Sequence, residues 1–218
     1  MAAALAEPWI DAARGCRTSI AITLGTGVGT GVILNAQPAQ SAGFGSEWGH
    51  TIIDFKSVRP KTANSKPGTV EDYASGSGIL RNAQAQGLSC HSSHEIFAIL
   101  EAGTKRSPTS SIRIAQAMVD DFSHALAALL DNLSLGFAPD VITLSGGIMQ
   151  TRLQTRLQTR PQTRPQTRLQ TRRHFLSSAL KLYRRELQRF SKHFRCPVEV
   201  SNLSNACLLG AGSLPWRS

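Results

Sequence analysis

Residues 24–34, LGTGVGTGVIL, place four glycines within seven positions between two apolar runs. The flanking segments SIAITL (19–24) and GVILN (31–35) are rich in β-branched residues, and they predict two strands joined by the glycine loop. HTIIDF (50–55) predicts a third strand. Three strands at such short spacing predict an antiparallel meander. Hairpins rarely need so many glycines, so the loop calls for a second reason.

The rest of the chain alternates in a readable way. Residues 56–69 carry Pro60, Pro67 and Gly68 and predict a loop. TVEDYASGSGILRNAQAQG (69–87) predicts a helix weakened by Gly76 and Gly78. Ser92 with Glu95 predicts a capping box for a short helix through about Leu100. Ala115, Val119, Phe122, Leu126, Leu129 and Leu133 recur at three and four and mark a longer helix, with Gly136 at its C-cap. DVITLSGG (140–147) predicts a strand ending in a glycine turn. Leu176, Leu180, Tyr183, Leu187 and Phe190 mark another helix face; PVEVS (197–201) predicts a last strand and NACLLGAGSL (205–214) a last helix. Strands followed by helices that alternate with strands predict an α/β layer, a mixed sheet with helices packed on it. At 218 residues the chain is one domain.

The net charge of +10 has a local source. Residues 151–172 repeat a four-residue unit, TRLQTRLQTRPQTRPQTRLQTR, and with Arg173 hold seven arginines and no acid. Without those seven, 17 bases face 14 acids, a balance of only +3. A four-residue period is too short for a solenoid unit, and Pro161 and Pro165 break a helical pattern. The stretch therefore predicts a disordered cationic loop, a tandem expansion inserted into the domain, whose pull on nucleic acid would be non-specific. Four scattered cysteines, with no C-x-x-C pair, predict reduced thiols and a cytoplasmic location. Glu7, Pro8 and Asp11 interrupt the alanine-rich start, which argues against a signal peptide, and no apolar run approaches a membrane span.

Two glycine turns, GTGVGTG and LSGGI, follow strands, and glycine-rich turns let backbone N–H groups converge on phosphate oxygens. Neither matches the Walker pattern, which needs a lysine, and the first does not open a helix as a dinucleotide fingerprint requires. Between them stands GFGSEWGHTIID, with Glu47 and His50 just before the third predicted strand. In order, ITLGTGVGTGVILN, GFGSEWGHTIID, GTVEDYASG, VITLSGGI and NACLLGAGSL resemble the C-terminal half of the ROK family (repressors, unassigned frames and sugar kinases), which shares the hexokinase and actin-like, ribonuclease H-like fold.

The resemblance implies that Thr26, Gly27 and Gly29 line the loop receiving the β and γ phosphates of ATP. It implies that Gly146 and Gly147 lie against the nucleoside, and that Glu47, His50 and Glu71 hold hydroxyls of a hexose or N-acetylhexosamine. ATP with magnesium would be the co-substrate. In most family members the motif histidine joins three cysteines in a zinc site; here Thr62, Asn64 and Thr69 stand at those positions, and such neutral groups are poor zinc ligands, so no zinc is expected.

A ROK kinase also uses an Asp-x-Gly-Gly-Thr phosphate loop and an Asn-Asp pair whose aspartate is the general base. Neither occurs in this sequence. The expectation is a single C-terminal lobe without its N-terminal lobe, with no catalytic base of its own, Asp11 being a poor replacement. A separate polypeptide could supply that lobe, and the face it would meet predicts aggregation or pairing with another copy. The alternatives are a non-catalytic sugar or nucleotide binder and a cationic interaction protein acting through the repeat.

Overall fold

Strand β1 (Ser19–Leu24) is the centre of a five-stranded sheet. The computed structural model describes residues 6, 12–39, 46–57, 66–102, 108–149, 168–190, 196–201 and 203. β1 pairs antiparallel with β2 (Val28–Leu34), with Leu24 opposite Val28 and Thr23 opposite Gly29. A two-residue β3 (Gln37–Pro38) extends that edge. On its other side β1 runs parallel to β4 (Val141–Ser145), which runs parallel to β5 (Val198–Val200), giving the order β3-β2-β1-β4-β5. The mixed sheet is as expected, and β1, β4 and β5 fall within the segments read as strands, while β2 begins at Val28, three residues ahead of the segment read as a strand at 31–35 and inside the run read as the glycine loop.

Side chains alternate across each strand, so Ile20, Ile22 and Leu24 of β1, Val28 and Val32 of β2, and Ile142 and Leu144 of β4 share one core with the helices. Helix α1 (Val70–Ala74) and α2 (Gly76–Ala85) lead to α3 (Ser93–Ala102), the long α4 (Thr109–Phe137) and α5 (Arg168–Phe190). α4 buries Phe122, Leu126, Leu129 and Leu133, the face its periodicity marks. Phe175 of α5 packs against both Phe122, at 5.2 Å, and Phe97 of α3, at 5.7 Å. Further along α5, the Tyr183 hydroxyl meets Ser134 Oγ at 2.7 Å. Burial pushes the Tyr183 phenol up to about 12.

Four expectations change. HTIIDF is not a strand: Trp48–His50 form a short 3-10 turn, and Ile53 and Asp54 both donate backbone N–H groups to the Gly68 carbonyl, leaving one isolated bridge, Ile52 to Thr69. Of that segment's apolar residues Ile53 packs against the core, but Ile52 and Phe55 are 55% and 85% exposed. The helix expected across 69–87 is two helices, because the Ser75 hydroxyl accepts from the Gly78 N–H and starts a new one. α4 runs past Gly136 to Phe137, and Ala138, at φ 44°, takes the left-handed cap and donates its N–H to the Ser134 carbonyl. α5 begins at Arg168, so the final unit of the repeat is helical rather than loop. The remainder of the repeat, the AAALAEPW segment apart from Ala6, and NACLLGAGSL lie outside the described residues. Among the described residues no helix is long and apolar enough to cross a membrane.

Candidate active site

Parallel β1 and β4 end side by side, and the glycine turns leave from those two ends. A crevice beyond the carboxyl ends of parallel strands is where open α/β sheets take ligands. Thr23 Oγ1 and Ser145 Oγ, near the ends of β1 and β4, lie 3.2 Å apart. Gly146 follows at φ 101°, and a side chain there would run into the Leu24 carbonyl. The same carbonyl accepts the Ile148 N–H at 3.1 Å. The second glycine turn is thus laid directly across the end of β1, which only glycine permits. Gly147, by contrast, is exposed and has open space beside its Cα.

The first turn comprises Gly25, Thr26 and Gly27, with the Gly25 N–H bonded to the Gly27 carbonyl at 3.0 Å. Its Gly25 and Thr26 carbonyls are held by the first residues of α2. The Gly76 N–H reaches the Gly25 carbonyl at 2.7 Å, and the Ser77 N–H and hydroxyl reach the Thr26 carbonyl at 3.1 and 2.6 Å. From α1, Glu71 Oε2 accepts the Val28 N–H at 2.8 Å, and a Cβ on Gly27 would stand 2.5 Å from that oxygen. No described residue accepts the N–H of Thr26 or Gly27. Gly29 sits inside β2 opposite Thr23, beyond the turn itself.

Glu47 is the N-cap of the 3-10 turn and His50 its last residue, with His50 Nε2 4.0 Å from Glu47 Oε2 and both side chains 52% exposed. Thr30 of β2 places this turn: its hydroxyl donates to the Ser46 carbonyl and accepts the Trp48 N–H at 3.1 Å. Trp48 packs edge-on against Phe137 at 5.3 Å. Gly49 lies on β2 so closely that a side chain would collide with the Val28 carbonyl. Val28 is therefore the junction of the site. Its N–H is taken by Glu71 and its carbonyl side is covered by the turn carrying Glu47 and His50.

All eight residues singled out in the sequence are described, and the backbone ties most of them into two connected groups. Gly27, Glu71, Glu47 and His50 meet through Val28; Gly146 meets Leu24, the residue before the first turn. Thr30, Ser77 and Trp48 escaped the sequence reading. SGSG (75–78) carries the mark of a helix start, but its glycines read as a defect within a longer helix.

Of the three positions at which the family carries zinc thiolates, the structure describes one. Thr69 Oγ1 is the N-cap of α1 and accepts the Asp72 N–H at 3.3 Å, while Thr62 and Asn64 lie outside the described residues. Among the described residues no three His, Cys, Asp or Glu side chains gather as a metal set.

A family model described as the ROK family matches residues 1–174. That extent overturns the expectation of a resemblance to the C-terminal half only: the match runs through nearly the whole chain, repeat included. It stops short of NACLLGAGSL, one of the five segments on which the resemblance was read. A glucokinase from Halalkalibacterium halodurans is 30% identical over 154 residues, covering 67% of this chain and 46% of the relative. An N-acetyl-D-glucosamine kinase from Salmonella paratyphi B is 29% identical over 154 residues, 66% of this chain and 48% of the relative. The chain spans about half the length of the curated relatives it matches. Among solved structures, the ROK hexokinase from Thermus thermophilus superposes with a TM-score of 0.73 at 27% identity, covering 96% of this chain and 60% of that one. A ROK family glucokinase from Streptomyces griseus, in complex with glucose and AMPPNP, shares the fold with a TM-score of 0.65 at 22% identity, covering 98% and 65%.

Proposed function

The chain belongs to the ROK family, and from that membership we propose that it serves ATP-dependent phosphorylation of a hexose or N-acetylhexosamine. The observation that carries this reading is the junction at Val28. It fastens the glycine loop, the natural place for phosphate, to the acid and histidine groups suited to sugar hydroxyls. The glucokinase and N-acetyl-D-glucosamine kinase relatives supply the acceptor class.

In this reading the backbone N–H groups of Thr26 and Gly27 donate to oxygens of the β and γ phosphates, which gain charge during transfer. Gly146 and Gly147 make a flat floor for the nucleoside. Glu47 and Glu71 accept from sugar hydroxyls, and His50 donates or accepts at a third. The sugar oxygen attacks the γ-phosphorus as the bond to the β–γ bridging oxygen breaks, and the sugar's proton passes to a base. This sequence holds no Asn-Asp pair to supply it, and general-base help is worth roughly a hundredfold to ten-thousandfold. These residues by themselves therefore bind without appreciable turnover, and a segment carrying that base, on the same or another polypeptide, completes the enzyme.

A coupled ADP-release assay with ATP, magnesium and glucose, N-acetylglucosamine or N-acetylmannosamine tests this, with and without a polypeptide carrying the Asp-x-Gly-Gly-Thr and Asn-Asp motifs. Turnover only with the added polypeptide supports the reading. Turnover by the chain alone overturns the missing base, and silence in both arms overturns the kinase assignment in favour of a binder.

A further inference from the structure

The first glycine turn presents its backbone in one sense, and the start of α2 decides which. In a planar trans peptide the C=O and N–H point in opposite directions. The Gly25 carbonyl and the Thr26 N–H belong to one such unit, the Thr26 carbonyl and the Gly27 N–H to the next. Both carbonyls are taken by α2: the Gly76 N–H donates to Gly25 at 2.7 Å, and the Ser77 N–H and hydroxyl donate to Thr26 at 3.1 and 2.6 Å. The Thr26 and Gly27 N–H groups therefore face away from α2, on adjacent peptide units, and no described residue accepts either. Donation to a carbonyl also polarises its peptide unit and strengthens the N–H at the other end as a donor.

The two units are held differently. At Gly76 only the backbone acts, and the lack of a side chain lets α2 come close: a Cβ there would stand 3.0 Å from the Gly25 carbonyl oxygen. At Ser77 a side chain acts. Among the described residues its hydroxyl is the one side-chain group that donates to a carbonyl of the turn. Helix formation does not account for it. Ser75 is the N-cap of α2, its hydroxyl accepting the Gly78 N–H at 2.9 Å, and at an exposed helical position serine is a poorer choice than alanine. Ser77 instead directs its hydroxyl to a residue 51 positions earlier in the chain. The Ser75 hydroxyl lies 3.3 Å from it and can donate to it, which leaves the Ser77 proton for Thr26.

We propose that Ser77 is a positioning residue for phosphate: its hydroxyl fixes the Thr26–Gly27 peptide unit so that the Gly27 N–H is aimed at an oxygen of the nucleotide's β or γ phosphate. The inference rests on the kinase reading above and names a residue that acts through the loop without touching substrate. Its effect belongs to the phosphates alone, because Glu71 is tied to the loop at Val28 and not through Ser77.

Calorimetric titration of the full chain with ATP and magnesium, with AMP, and with glucose or N-acetylglucosamine, compared with Ser77→Ala and Ser77→Thr, is the test. Alanine removes one neutral hydrogen bond and is the better helix former, so the variant keeps its fold; ATP affinity should fall about threefold to tenfold, while AMP and sugar affinities change by less than about twofold. Ser77→Thr returns a hydroxyl to the same position and should restore ATP affinity to within about twofold of the unaltered chain. Equal ATP affinity in the folded Ala variant, a loss shared by AMP or by sugar, or a Thr variant as weak as the Ala variant would each overturn the role of Ser77 and leave the kinase reading standing. A folded, unaltered chain that does not bind ATP would overturn that reading, and this inference with it.

Discussion

Glu71 accepts the backbone N–H of Val28 at 2.8 Å, so a carboxylate suited to sugar hydroxyls is hydrogen-bonded to the base of the glycine loop. The loop cannot shift without disturbing that carboxylate, nor the carboxylate without the loop. Gly76 and Ser77 hold the same loop from the next helix, through the carbonyls of Gly25 and Thr26. Glu71, the glycine loop and the start of that helix are thereby one hydrogen-bonded unit, which under the proposed function would couple sugar to phosphate recognition.

Replacing Glu71 with Ala leaves the part-buried Val28 N–H without its acceptor and should cost about 1–3 kcal/mol in chemical denaturation. Glu71→Gln keeps a carbonyl oxygen in reach and should cost less than half as much. Equal losses for the two variants would show that the hydrogen bond contributes nothing specific.

Gly146 and Gly147 are neighbours in sequence but should respond differently. Gly146→Ala forces a side chain into the Leu24 carbonyl at a positive φ and should destabilise by about 2–4 kcal/mol, whereas Gly147→Ala meets open space and should change stability by about 0.5 kcal/mol or less. Thermal melts of the two variants decide it.

Gly49→Ala should lift the turn carrying Glu47 and His50 off β2, because the new methyl meets the Val28 carbonyl. Its effect should fall on sugar affinity at least tenfold, about 1.4 kcal/mol, with a smaller change in nucleotide affinity. Calorimetric titration of each ligand separately reads this; an unchanged sugar affinity in a folded variant would remove Glu47 and His50 from the sugar site.

Stability should fall at alkaline pH. Burial raises the Tyr183 phenol from 10.0 to about 12, so the unfolded chain releases its proton before the folded one does. The phenol's contribution is intact below pH 10 and is lost as pH rises to about 12, a loss of order 2 kcal/mol. Burial also raises the Cys196 thiol, which acts in the same direction from about pH 9. Tyr183→Phe should flatten the higher part of that decline in a series of denaturation curves, and a wild-type curve level through pH 11 would contradict it.

What was legible in the sequence was whatever depended on local pattern. The β-branched runs at 19–24 and 141–145 became the neighbouring strands of the centre, and Ser92 and Glu95 cap their helix as the spacing predicts, the Glu95 N–H donating to the Ser92 hydroxyl at 3.4 Å while Glu95 Oε2 accepts the His91 N–H at 3.1 Å. What failed depended on partners distant in sequence. Residues 50–55 have strand composition, but the Gly68 carbonyl takes the N–H groups of Ile53 and Asp54, and those of His50 and Thr51 close the 3-10 turn, so no ladder forms. Ala138 closes α4 in a conformation that sequence preference reserves for glycine. The candidate site was visible as residue types, while its connectivity was not: no spacing rule says that Glu71 would bind Val28, or that Thr30 would hold the turn containing Trp48.

The most direct test of the account is a calorimetric titration of ATP with magnesium into the chain and into its Glu71→Ala variant. The account predicts measurable binding to the unaltered chain and a loss of about tenfold, about 1.4 kcal/mol, in the variant, because the glycine loop loses its tether at Val28. A folded chain that does not bind ATP, or a folded variant that binds it equally well, would contradict the assignment of this loop to phosphate.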